Sequence, residues 1–221
     1  MTQDSCRSRG LFITLEGGEG VGKSTLAAHL KARLQDQGRE AITTREPGGT
    51  PLAEAIRGLV LHPPEDRSWS SLAQALLMNA ARADHLEKLI IPSLEADRDV
   101  ICDRFSDSTL AYQSINGDIS LNTLKALDAA RLNGSEPDLT LILDAAPQDV
   151  LSRRLGRAPS GDVFEQKDME FHSAVRENFL LIAREETDRC IVLDALRPTE
   201  VICDEAMKII DQRRLLLQES A

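Results

Sequence analysis

Gly17-Gly18-Glu19-Gly20-Val21-Gly22-Lys23-Ser24 is a glycine-rich turn closed by Lys and Ser, the pattern G-x-x-x-x-G-K-[ST]. It follows a short apolar run, Leu11-Phe12-Ile13-Thr14-Leu15, and precedes a helix-like stretch from Thr25 to Gln37. In a strand–loop–helix setting, such a turn wraps backbone N–H groups around an anion and adds the positive end of the following helix. Gly17, Gly18, Glu19, Gly20, Val21, Gly22, Lys23, Ser24 and Thr25 are therefore expected to cradle the phosphates of a nucleoside triphosphate. Lys23 should reach the outer phosphates and the Ser24 hydroxyl should hold Mg²⁺.

Outward from this loop, short apolar runs alternate with longer amphipathic stretches. Strands are expected at Ala41–Thr44, Asp99–Cys102, Asp138–Leu143 and Cys190–Leu193. Helices are expected at Pro51–Leu61, with Pro in its first turn, at Ser70–Ser93, with Pro92 marking its end, and at Leu121–Leu132, stopped by Asn133-Gly134. Further helices are expected near Gln148–Leu155, Glu165–Glu186 and Thr199–Leu217. The strands are almost wholly apolar, as in a parallel sheet covered on both faces, and strand–helix alternation argues a doubly wound α/β fold. In such sheets ligands gather at the carboxyl ends of the strands.

The chain has 221 residues, 42% hydrophobic and 28% charged, which suits one α/β domain. The expected division is a polar tail over 1–10, a single domain over 11–214 with a lid near 153–165, and a tail over 215–221. Net charge is −10 and no basic run exceeds two residues, which argues against nucleic acid as a partner. No apolar run reaches the length of a signal-peptide core or a membrane span, so no membrane partner is expected. The four cysteines show no metal-type spacing, and a reduced cytoplasm fits them.

The residues after each strand carry chemistry. Arg45 and Glu46, ahead of Pro47-Gly48-Gly49, form either an anion-binding position or a surface ion pair. A cis Glu46–Pro47 bond and positive φ at Gly48 or Gly49 are expected of a ligand-shaping turn. Asp103-Arg104 can hold Mg²⁺ and bridge donor and acceptor phosphates, or form a structural ion pair. Asp144 is a metal carboxylate or, more in keeping with Pro147, a helix N-cap. Arg153, Arg154 and Arg157 flank a loop containing Pro159-Ser160-Gly161, and are a solvated basic face or a lid that brings positive charge to a transferring phosphoryl group.

Together these segments resemble the thymidylate kinases, nucleoside monophosphate kinases of the phosphate-loop (P-loop) NTPase fold. The resemblance runs from Leu11 to about Ile210. It is carried by Glu16 to Thr25, by Thr44-Arg45-Glu46-Pro47-Gly48-Gly49-Thr50, by Leu77-Met78-Asn79-Ala80-Ala81-Arg82, by Asp103-Arg104-Phe105 with Ser108 and Ala111-Tyr112-Gln113, and by Pro137 to Asp144. It implies a three-layer α/β/α fold with a five-stranded parallel sheet of order 2-3-1-4-5, ATP and Mg²⁺ as cofactors, dTMP as acceptor, and a homodimer. It also implies that Arg45 and Arg104 hold the acceptor phosphate. Arg82 would read the thymine edge with help from Gln113 and Ser108, and Tyr112 would exclude a ribose 2′-hydroxyl. Glu19 would lie near the acceptor sugar and Mg²⁺. The loop Gly18–Val21 has no basic residue, so the resemblance assigns the catalytic Arg to the lid, with Arg157 ahead of Arg153 and Arg154 because it borders the loop. The chain departs from the family at Met78, where a base-stacking ring is usual, at Ser114–Asp118, which has no basic residue, and at Asp162-Val163, where Asp-Arg is usual.

Two other classes predict features the chain lacks. A GTP-dependent switch predicts an Asn-Lys-x-Asp segment, and none occurs. A nucleic-acid motor predicts a basic surface rather than net charge −10. Another nucleotide kinase shares the phosphate loop and differs only in acceptor.

Overall fold

The computed structural model describes residues 9–115, 118–132, 135–152, 163–164 and 166–219. Five strands, β1 (Phe12–Glu16), β2 (Ala41–Arg45), β3 (Asp99–Asp103), β4 (Leu139–Asp144) and β5 (Cys190–Asp194), form one sheet in the order β2-β3-β1-β4-β5. All pairings are parallel, which matches the order and direction expected. The strand order reverses direction beside β1, so the loop after β1 opens into the crevice where an α/β sheet receives its ligands. Register sets the rim of that crevice: Arg45 pairs with Asp103, and Asp103 pairs with Leu15.

The period-2 alternation of β1 divides the molecule. Ile13 and Leu15 face α1 (Lys23–Asp36) and the last helix, packing with Leu26, Leu30, Ile202 and Ile210. Phe12 faces the other layer, where it packs with Ile90, Leu94 and Phe105. Thr14 and Glu16 share that face, through Thr140 and through the backbone of Phe105. That second layer holds α2 (Pro51–Leu61), α3 (Ser71–His85), α4 (Ile91–Glu95), α5 (Ser106–Gln113), α6 (Leu121–Leu132) and α7 (Met169–Glu185), and α8 (Thr199–Glu219) closes the chain.

Local signals placed several helices. Thr50 caps α2 by accepting from Ala53 N, and Ser70 caps α3 by accepting from Ala73 N. Pro92 does not end the helical run as expected. The chain widens into a π-helical stretch at Leu86–Ile90 and continues through α4 to Glu95. A wider turn relieves the clash between the proline ring and the preceding carbonyls. The helix expected from Glu165 starts at Met169, because the Asp168 carboxylate caps it at Phe171 N. α8 runs past the expected Leu217, so the tail expected from 215 is helical to Glu219. The segment expected as a helix over Gln148–Leu155 lies partly outside the described residues; 147–150 form turns and 151–152 are helical.

α5 was not anticipated. Its segment, SDSTLAYQ, has no amphipathic period because nearly every residue is buried, Asp107 and Gln113 included. Several of its polar groups are satisfied by distant partners. Arg189 donates to both Asp107 oxygens at 2.8 Å, and the Glu16 carboxylate accepts from Phe105 N at 2.7 Å and from Ser108 N at 3.3 Å. Glu16 thus acts as a helix N-cap supplied by another element.

Candidate active site

The phosphate loop takes the shape its glycines permit. Gly17, Gly20 and Gly22 have φ of 127°, 81° and 101°. A Cβ on Gly17 would lie 2.3 Å from the Leu143 carbonyl oxygen, so the loop sits hard against the end of β4. Gly22 in the left-handed region opens α1, whose first residue is Lys23. The Lys23 ammonium curls over the loop, donating to the carbonyls of Gly17 at 3.0 Å and Gly18 at 2.7 Å. Burial, ahead of the nearby Arg104 charge, pushes it down to about 8. The Ser24 hydroxyl donates to Asp103 Oδ2 at 2.5 Å, so the hydroxyl and the carboxylate expected to serve one metal ion are in contact.

Arg104 follows β3 with φ of 70°, an uncommon left-handed conformation for a non-glycine residue. The turn carries its guanidinium back over the loop. Nη1 donates to Gly17 O at 3.1 Å and Ser108 Oγ at 3.0 Å, and Nη2 donates to Glu19 Oε1 at 2.6 Å. Tyr112 donates to the same Glu19 oxygen at 3.1 Å, and Arg104 lies over the Tyr112 ring at 5.0 Å. Burial would raise the Glu19 carboxyl, but Arg104 and then Lys23 hold it down to about 2. Glu16, on the buried side of the same turn, is pushed up to about 7 by burial and then by the charge of Asp107.

Arg45 is not paired with Glu46 as one expectation had it. It projects over the cleft and donates to Glu54 at 3.0 and 3.1 Å, and Glu54 also accepts from Gly49 N. Glu46 turns inward instead; the Glu46–Pro47 bond is cis and Gly48 and Gly49 have φ of 137° and 89°, both as expected. There it accepts from Arg82 Nε at 2.5 Å. Arg82 is 2% exposed, with Nη2 donating to Thr109 at 3.0 Å, Nη1 to Asp128 at 3.3 Å, and its face over Phe105 at 5.0 Å.

One cleft of about 340 Å³ brings these groups together. Lys23, Ser24, Asp103, Glu19, Arg45 and Arg104 line it together with Met78, Arg82, Ser108, Tyr112 and Gln113. Gln113 donates through Nε2 to Gln74 at 3.3 Å, and its buried Oε1 has no hydrogen-bond partner among the described residues. Phe164 closes the wall by packing edge-on against Tyr112 at 5.5 Å. Arg153, Arg154 and Arg157 lie outside the described residues. Asp144 gives both carboxylate oxygens to Arg176, at 2.7 and 2.8 Å, a partner from α7 that neither expectation for it included.

Glu54 and Phe164 carried no local signal, and the partners that Glu16 and Glu46 take were not marked in the sequence. A second cavity of about 300 Å³ opens on the other side of the loop, between Thr25, Leu143, Ala195, Arg197 and Thr199. Only the apolar strand before Ala195 hinted at it, since cavities of this fold gather at strand ends.

Comparison with known proteins agrees with this geometry. The family model described as thymidylate kinase matches residues 15–206. The thymidylate kinase of Caulobacter vibrioides is 45% identical over 206 residues, covering 93% of this chain and 98% of that protein. The thymidylate kinase of Dinoroseobacter shibae is 47% identical over 88% of this chain and 94% of its own length. The crystal structure of thymidylate kinase from Ehrlichia chaffeensis superposes with a TM-score of 0.72 at 32% identity, covering 91% of this chain and 99% of that one.

Proposed function

The chain belongs to the thymidylate kinase family, and from that premise we propose how its residues carry the γ-phosphoryl group of ATP to dTMP, giving dTDP and ADP. The observation that carries the reading is the shared cleft. Phosphate-loop groups and four arginines, Arg45, Arg57, Arg82 and Arg104, line one space together with Met78, Tyr112 and Gln113.

ATP phosphates lie on Gly17–Thr25, and its nucleoside takes the second cavity beside Ala195 and Thr199. Ser24 and Asp103 would hold Mg²⁺. Among the described residues no cluster of three or more His, Cys, Asp or Glu side chains is placed to bind a metal, so the donor set suits an ion that completes its shell with water and phosphate oxygens. When bound, that ion neutralises charge on the ATP phosphates. Arg45 and Arg104 grip the acceptor phosphate, each already oriented by a carboxylate. That phosphate is anionic at neutral pH and needs no strong general base. Positioning and charge compensation by Lys23, Arg104 and a lid arginine from Arg153, Arg154 and Arg157 supply the catalysis.

The base end suits thymine. Arg82 offers donors to a ring carbonyl, and Gln113 Oε1 is an acceptor suited to a ring N–H. Tyr112, anchored on Glu19, stands where a ribose 2′-hydroxyl would fall. Met78 gives a thioether face in place of a ring.

We further place the enzyme in a reducing cytoplasm as a homodimer. Cys102, Cys190 and Cys203 are free and buried, and among the described residues no helix is long and apolar enough to cross a membrane. Leu52, Leu59, Leu72 and Leu76 are exposed on α2 and α3, a face suited to a second copy. Light scattering of a Leu52→Glu/Leu76→Glu variant should show a monomer, and an unchanged mass would remove this face from consideration.

The deciding experiment is ADP production from Mg·ATP with dTMP, dUMP, UMP, CMP, AMP and GMP as acceptors. Preference for dTMP is expected, and preference for another monophosphate would move the substrate assignment. Replacing Arg153, Arg154 and Arg157 singly by Ala tests the lid: at least one should lower turnover by more than about tenfold.

A further inference from the structure

Glu46 and His85 take no direct part in the reaction above, yet they are 4% and 0% exposed. Buried polar groups of this kind persist only where their hydrogen bonds are satisfied. Thr44 Oγ1 lies 2.7 Å from His85 Nε2, and His85 Nδ1 lies 3.0 Å from Glu46 Oε1. The other Glu46 oxygen takes the Arg82 Nε–H at 2.5 Å. The chain Thr44–His85–Glu46–Arg82 is satisfied throughout when Nδ1 donates to the carboxylate and Nε2 accepts from the threonine hydroxyl. With both oxygens engaged, the Glu46 carboxylate cannot rotate, and the plane of the Arg82 guanidinium is set at its Nε edge. Thr109 and Asp128 hold the Nη edge. The guanidinium N–H groups left over can only be offered toward the cleft that Arg82 lines.

The turn is built around this chain. A Cβ on Gly49 would lie 2.4 Å from His85 Nε2 and 2.6 Å from Thr44 Oγ1. Arg45 and Glu46, adjacent in sequence, thereby serve opposite ends of the acceptor: one reaches toward its phosphate, and the other sets the residue at its base.

We propose that Glu46 and His85 are positioning residues for base recognition. They hold Arg82 in the one orientation that meets a pyrimidine carbonyl, and so set the discrimination between 4-keto and 4-amino pyrimidine monophosphates. An arginine has donors only, so it accepts a 4-keto oxygen and rejects a 4-amino group. The inference rests on the reading of Arg82 as the base-reading residue.

The test measures kcat and KM for dTMP, dUMP and dCMP at saturating Mg·ATP, with dissociation constants from calorimetry where turnover is slow. It compares the unmodified chain with Glu46→Gln, His85→Leu, His85→Gln and Thr44→Val, each checked by its melting curve. Glu46→Gln and His85→Leu should each cut the dTMP-over-dCMP preference by about tenfold or more, mainly through KM for dTMP. The KM for ATP should stay within about twofold, and the dTMP-to-dUMP ratio should not move, because both bases carry the 4-keto oxygen. His85→Gln, whose amide still donates to Glu46, should restore most of the preference, and Thr44→Val should give a smaller loss in the same direction. If one variant fails to fold, the other three carry the same comparison. A preference within about twofold of the unmodified chain, or an equal loss for all three acceptors, would overturn the proposal. An unmodified chain inactive on dTMP would instead refute the reading of function, and an Arg82→Ala variant with unchanged preference would refute the assignment of Arg82.

Discussion

The proposed donor and acceptor sites would both receive phosphate, but they are built by opposite means. The donor end is a contiguous run, Gly17 to Thr25, and its anion site is mostly backbone shaped by positive-φ glycines, with Lys23 as its cationic side chain. The acceptor end is assembled from β2, α3, the turn after β3 and α5. Three of its arginines are each held by a carboxylate, Arg45 by Glu54, Arg82 by Glu46 and Arg104 by Glu19, while Arg57 donates to the Pro47 carbonyl. Binding a phosphate needs only N–H groups turned one way, which a local turn supplies. Reading a base and a sugar needs side chains fixed in direction, and long cations are fixed only by partners.

The largest expected effect breaks the donor end. Lys23→Ala should lower kcat/KM for ATP by on the order of 10²–10³-fold, the loss typical of one transition-state charge contact. Steady-state kinetics check it, and a loss below about tenfold would mean that the loop backbone suffices.

Next comes Glu16, which joins the two ends by capping α5 from β1. Its carboxyl ordinarily titrates at 4.5 and is pushed up to about 7 by burial, then by Asp107. Between these values the folded chain keeps a proton that the unfolded chain has lost. Stability from this group is therefore full below about pH 4.5 and declines as pH rises toward 7, by on the order of 3 kcal/mol. Glu19 works in the opposite sense: held down to about 2, its contribution is present above 4.5 and lost only as pH falls toward 2. Urea unfolding at pH 5 and pH 8 should show a flatter pH dependence in Glu16→Gln than in the unmodified chain. An identical slope would exclude the buried carboxyl as its source.

Glycine substitutions sharpen the contrast. Gly49→Ala, at φ of 89° with His85 2.4 Å from the new Cβ, should lower stability by roughly 1–3 kcal/mol. Gly18→Ala, with nothing within 4 Å of its Cβ, should stay within about 0.5 kcal/mol. Thermal or urea unfolding compares the two, and equal losses would contradict the packing described. The smallest effect falls on Met78→Phe. A ring in place of the thioether should lower KM for dTMP by only about threefold, from the 0.5–1 kcal/mol that separates such contacts. A raised KM would show that the pocket is shaped to the sulfur.

The strand, glycine loop and helix of the donor end could be read from the sequence, and Ser24 and Asp103, each expected to hold Mg²⁺, proved to touch one another. Pro51 in the first turn marked α2 at its observed limits for the same reason: caps and turns act over a few residues, and the order of residues states them directly. At the acceptor end the residue types were legible but their partners were not. Arg45 stood beside Glu46 in sequence and proved to pair with Glu54, while Glu46 reached Arg82 and His85 across the fold. α5 was hidden because burial on every side erases the periodicity that marks a helix, and Asp144 was claimed by Arg176 from a helix elsewhere in the chain. By itself, then, the sequence determined the strand–loop–helix unit, the parallel sheet and the set of charged groups at its carboxyl edge, since each follows from short-range propensity and pattern. Which carboxylate holds which arginine was decided only by the tertiary structure, because the pairing of buried charges depends on distances between segments that the order of residues does not record.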